Sequence, residues 1–90
     1  SIQRTVASHF GVTMTDILSE KRNRGIAEPR MIAMFLCREL TKSSSNEVGS
    51  AFGRNHATVL HAEKKVPQLC EANEGVRRAI SQIKRQLQRG

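Results

Sequence analysis

Four consecutive residues, Asn55-His56-Ala57-Thr58, carry side chains suited to reading a nucleic-acid surface. Asn can pair bidentately with adenine, His donates or accepts a hydrogen bond, and the Ala57 methyl can touch a thymine methyl. A helix starting at these residues also turns its positive N-terminal end toward any nearby phosphate. Upstream, Ser44-Ser45-Asn46-Glu47 has the spacing of a capping box, with a Ser side chain on the N3 amide and Glu47 reaching back. Val48, Ala51 and Phe52 then give a short helix its buried residues, and Gly53 ends it in a turn that favours positive φ. Residues 44–66 thus read as helix, Gly turn, helix. The second helix, roughly 55–66, with Asn55 as cap and Val59 and Leu60 inward, is the one that would enter a major groove. A second basic element is Glu20-Lys21-Arg22-Asn23-Arg24-Gly25, read as a polar loop over 20–25. A merely solvated loop is the plain alternative for Arg22 and Arg24.

Catalytic chemistry is not legible. His61-Ala62-Glu63 with Pro67 and Cys70 echoes the H-x-E and P-C-x-x-C pattern of zinc deaminases, but no Cys follows Pro67 directly and no second Cys lies three further on. There is no G-x-x-x-x-G-K-[ST] phosphate loop. Cys37 and Cys70 belong to no CxxC pair, so they read as free thiols in a reducing cytosol, with Cys37 a small core filler on the third helix. His61 is assigned to packing beside Leu60. His9 is assigned to a helix end, where the dipole favours it. A non-enzyme with no catalytic residue, no metal and no cofactor is the expectation.

The elements that must position these residues are all helical. Ile2, Val6 and Phe10 recur at i, i+4, i+8 and predict a first helix ending near Gly11. Thr13 and Asp16 predict a short second helix with Thr13 as cap and Ile17 and Leu18 buried. Glu28-Pro29 opens the third, with Pro at the first helical position, where its missing N–H needs no partner. Ile32, Phe35, Leu36 and Leu40 form its apolar stripe, with Arg30 and Arg38 off that stripe. Pro67 is expected to end or kink the recognition helix near Lys65-Val66. Val76, Ile80, Ile83 and Leu87 predict a last helix over about 74–88, whose Arg77, Arg78, Lys84, Arg85 and Arg89 read as a solvated face with an auxiliary phosphate contact as the alternative.

Ninety residues suffice for one domain and not for two, so 1–90 is read as a single unit. Three Phe, no Tyr and no Trp require an aliphatic core, which suits packed helices. A formal charge of +7 and a sequence pI near 10.5 suggest a polyanionic partner: DNA, RNA or an acidic membrane surface. No apolar run approaches the length of a membrane span. The chain starts at Ser1 without Met, which reads as a piece of a longer protein.

Three stretches carry a family resemblance: Arg30-Met-Ile-Ala-Met-Phe-Leu-Cys-Arg-Glu-Leu-Thr41, then Glu47-Val-Gly-Ser-Ala-Phe-Gly53, then His56-Ala-Thr-Val-Leu-His-Ala62. Together they resemble the C-terminal domain of the bacterial replication initiator DnaA. The likeness runs from Ile2 through the last helix, and 29–62 is its specific part. It implies an all-α fold, a small Trp-repressor-like helical bundle with a helix-turn-helix. It also implies a monomer that binds double-stranded DNA at DnaA-box elements of a replication origin, in the cytoplasm at the bacterial nucleoid. An upstream ATPase domain, if the parent protein has one, would lie outside these residues. Carried across, Arg22 would enter the minor groove, while His56 and its neighbours Asn55 and Ala57 would read the major groove. Arg30, Arg38 and Thr58 would hold phosphates. Asn46 is added to the base contacts, and Lys21, Arg24, Ser44 and Arg54 to the backbone contacts.

Several positions depart from the family pattern. Asn55 stands where Asp is common and adds a donor. Ala57 stands where Thr or Ser is common. The turn has one Gly where many members have two. Met31 replaces a frequent polar contact, and Glu20 and Glu28 stand where basic residues are frequent. The alternatives are a stand-alone DnaA-like regulator with a different target site, or a basic interaction module for RNA or an acidic protein.

Overall fold

A computed structural model describes residues 1–89, and among them the ordered elements are six helices: α1 (Ile2–Phe10), α2 (Met14–Leu18), α3 (Arg24–Leu40), α4 (Ser45–Ala51), α5 (His56–Ala72) and α6 (Glu74–Arg89). Local chemistry sets most of their starts. Thr13 Oγ1 accepts from the Asp16 amide at 3.0 Å, and the Asp16 carboxylate accepts from the Thr13 amide in return. Ser44 and Glu47 repeat the arrangement, at 3.1 and 2.8 Å. Both carboxylates are held below the usual range, Asp16 mainly by Lys21 and Glu47 mainly by the Ser44 amide. The Asn55 side chain caps α5, accepting from the Thr58 amide at 3.2 Å. Gly11 closes α1 at φ 67°, a left-handed conformation that costs glycine least.

α3 is the central helix and packs against α1, α2, α4 and α5, while α6 lies along α1 and α5. The core is aliphatic around one aromatic. Val6, Ile17, Ile32, Leu36, Val59, Val66 and Ile83 are fully buried with Phe52.

Six expectations need correction. α3 starts at Arg24 rather than at Pro29, so Arg24 and Gly25 belong to the helix and the α2–α3 loop runs over 19–23. Pro29 sits in the second turn, and the only partner it withholds is that of the Gly25 carbonyl, at an exposed position where water can serve. Likewise α5 runs through Pro67 to Ala72. Pro67 lies on the exposed face, while Leu69 and Cys70 pack onto the core beyond it and hold the helix together. Leu18, Leu40 and Leu60 are exposed at 43%, 44% and 48%. Ala51 is exposed too, and Gly49 takes the buried place on α4. Arg30 is buried, because α3 is covered by four helices and its enclosed arc extends past the apolar stripe. His61 faces solvent and does not pack.

Candidate nucleic-acid interface

The turn between α4 and α5 depends on the absence of a side chain at Gly49. A Cβ there would lie 2.6 Å from the Arg54 carbonyl oxygen and 3.2 Å from that of Asn55. The Arg54 amide donates to the Gly49 carbonyl at 2.8 Å, and Gly53 between them takes φ 65°. This brings the start of α5 hard against α4 in a turn with a single glycine at its apex.

One arginine fastens that turn to the α2–α3 loop, and a second holds the loop to α3. Arg54 donates through Nη2 to the Ser19 carbonyl at 2.8 Å. Arg30 donates from Nε to the Ile17 carbonyl at 2.8 Å, from Nη1 to the Lys21 carbonyl at 2.9 Å, and from Nη2 to the Asp16 carbonyl at 3.1 Å. A fourth contact runs from Nη2 to Ser19 Oγ. The Arg30 guanidinium thus works first as a strut that fixes the loop's path. Burial pushes its pKa down, and the positive charge of Arg54 pushes in the same direction. Two like charges this close favour an anion beside them.

The result is an open cleft of about 610 Å³ between the loop and the start of α5, lined by Glu20, Arg22, Arg30, Gly53, Arg54, Asn55 and Thr58. Five of the residues read from the sequence as DNA contacts therefore meet on one concave surface: Arg22, Arg30, Arg54, Asn55 and Thr58. His56 and Ala57 stand exposed in the first turn of α5, just beyond it. Asn55 Oδ1 is spent on the cap, accepting from the Thr58 amide and hydroxyl. Its amino group is left to donate, which is the capacity that Asp would lack.

The remaining candidates are placed differently. Lys21 is exposed and paired with Asp16 at 3.1 Å. Arg24 is exposed and paired with Glu28 at 3.4 Å. Asn46 is exposed near the start of α4, and the Ser44 hydroxyl is occupied by its cap. Arg38 lies away from the cleft, where it bridges Glu63 on α5 at 3.1 Å and the Ser43 carbonyl at 2.9 Å. It therefore ties α3 to α5 and to the segment that leads into α4.

The outward side of α5 adds residues that the sequence reading left out of the site. Leu60, His61, Lys64 and Lys65 are exposed, and they follow Ala57 at spacings of three, four, seven and eight along one helix face. That helical phase was the available signal. It places Leu60 and His61 on the outward face, against their expected places in the core and in packing. Among the described residues no group of His, Cys, Asp and Glu could hold a metal ion. Among the described residues no helix is long and apolar enough to cross a membrane.

A comparison with protein-family models matches residues 1–66 of this chain to the bacterial dnaA protein helix-turn-helix. The match runs from α1 to Val66 in α5 and takes in the loop, the turn and the cleft. It stops short of the last helix, which the resemblance read from the sequence had included.

Proposed function

Because this chain belongs to the bacterial DnaA helix-turn-helix family, a family of DNA-binding domains, we propose that it binds double-stranded DNA sequence-specifically as a monomer, reading DnaA-box elements at a replication origin. The observation that carries this reading is the fastening of two reading elements across one cleft. The Arg22 loop and the first turn of α5 are held in fixed relation by Arg54 and Arg30. A rigid pair of readers suits a duplex, in which adjacent major and minor grooves are also fixed in relation. His56, Ala57 and the Asn55 amino group face base edges in the major groove, and Arg22 enters the neighbouring minor groove. The intervening backbone lies over the cleft, where the amides at the start of α5, the Thr58 hydroxyl and the guanidinium edges of Arg30 and Arg54 meet its phosphates. A second reading, a DnaA-like regulator with its own target, is favoured by Asn55 and Ala57, which alter the hydrogen-bonding pattern at two base-reading positions.

The readout assignment is tested by comparing box and random duplexes. His56→Ala is expected to weaken box binding by about 1–3 kcal/mol, the value of one good base contact, and to leave random-duplex binding nearly unchanged. Arg38→Ala is expected to weaken both alike, because it releases the tie from α3 to Glu63 and the Ser43 carbonyl rather than a base contact. Equal losses on box and random DNA for His56→Ala would sink the assignment.

A further inference from the structure

We propose that the outward face of α6 is a second contact surface, sequence-independent, for the phosphate backbone of a DNA duplex distinct from the one in the cleft. α6 carries five basic residues against a single acid, Glu74, so it holds a formal +4 of the chain's +7. Four of the five, Arg77, Arg78, Arg85 and Arg89, are exposed; the fifth, Lys84, is turned inward to Glu39 on α3. Between the arginines stand Ser81 and Gln82, and together they line two adjoining grooves of about 310 and 180 Å³. Arg, Ser and Gln are donors suited to phosphate oxygens, and no carboxylate follows Glu74 to repel them. Arg77 and Arg78 share Glu74, while Arg85 and Arg89 have no ion pair among the described residues. A solvated helix face commonly interleaves both signs of charge, and this one does not.

Two further observations select the partner and its separateness. The apolar side of α6, formed by Val76, Ala79, Ile80 and Ile83, is already buried against the bundle. A helix that lies in a membrane interface needs that side free, so a polyanion that asks only for charge and hydrogen-bond donors fits better. No residue of α6 lines the cleft, and α6 packs on α1 and α5 rather than on α2 or α4. α6 also lies beyond the residues matched to the family. A domain with two such faces would bridge two duplexes or two segments of one.

The test is capture. The 90-residue protein is bound at low salt to beads carrying a random-sequence duplex, and a fluorescent random-sequence duplex is then added. Neither duplex calls for base readout, so the outcome is independent of whether the box is the true target. The wild type is expected to carry the second duplex onto the beads. R77Q/R78Q/R85Q/R89Q is expected to stay on the beads and lose that capture by about tenfold or more, with a salt slope of capture flatter by about 3.6 at roughly 0.9 per phosphate contact. R85Q/R89Q, which leaves the Glu74 pairs intact, is expected to lose part of it, and helical circular dichroism checks that both variants are folded. Absence of capture by the wild type, or equal capture by the fourfold variant, would overturn the proposal. So would release of a folded fourfold variant from the beads, which would put α6 on the primary interface. Capture of phosphatidylserine vesicles in place of the second duplex would also overturn it, in favour of a membrane surface.

Discussion

Gly49→Ala is expected to lower the melting temperature by roughly 10 °C and to remove selective DNA binding. The added Cβ meets the Arg54 carbonyl oxygen at 2.6 Å, a backbone atom that cannot rotate away. Either α4 or the turn has to move. Overpacking of this kind costs about 1–3 kcal/mol, and each kcal/mol shifts the midpoint of a domain this size by about 4–8 °C. Displacing the turn also shifts Arg54 and Asn55, and with them both the fastening to Ser19 and the cap of α5. Gly53→Ala offers a comparison, since nothing lies near its Cβ and only its φ of 65° is affected. That change is expected to cost about 1–2 kcal/mol through backbone strain. Thermal unfolding followed by circular dichroism measures both. A Gly49→Ala protein that melts with the wild type would mean that the helices are not packed this closely at the turn.

Arg30→Ala is expected to have an effect of similar size by a different route. It strips donors from the Ile17, Lys21 and Asp16 carbonyls and leaves a hole beside the core. A buried acceptor left without its partner costs about 1–3 kcal/mol, and the Ile17 contact is fully enclosed. Arg30→Lys is expected to rescue little, because a single ammonium cannot reproduce a planar fork that serves three carbonyls. The loop bearing Arg22 then loses its path, so box selectivity falls together with stability. A residue that only touched a phosphate would behave otherwise, changing the salt slope by about one without altering the melting temperature. Unfolding and salt titration on the same variant separate the two roles, and an unchanged melting temperature would remove Arg30 from its place as a strut.

These two residues also mark where the sequence stops being legible. The capping boxes of α2 and α4 and the Asn55 cap follow from partners three residues apart, so local spacing reveals them. The stripe of α6 is equally regular, and Val76, Ile80 and Ile83 are buried as their spacing requires. The helix-turn-helix was readable because a cap, a glycine and a second cap follow in order. What was not readable depends on contacts between distant residues. Arg54 reaches Ser19 across 35 positions, and nothing in either neighbourhood announces the pairing. Arg30 reads as a surface charge until its carbonyl partners are seen. Pro29 and Pro67 look like helix boundaries by local rules, yet packing on either side carries both helices through them. Leu60 has the composition of a core residue, and only the orientation of α5 turns it outward beside His61 and Lys64.

The central claim is that the loop and the start of α5 act as one reader of a defined duplex sequence. Fluorescence anisotropy tests it most directly, with duplexes carrying a DnaA box, a scrambled box and a random pool, each at two salt concentrations. Tight binding to the box is expected, with a preference over the scrambled duplex that persists at the higher salt. Binding that is sensitive to salt and indifferent to sequence would contradict it.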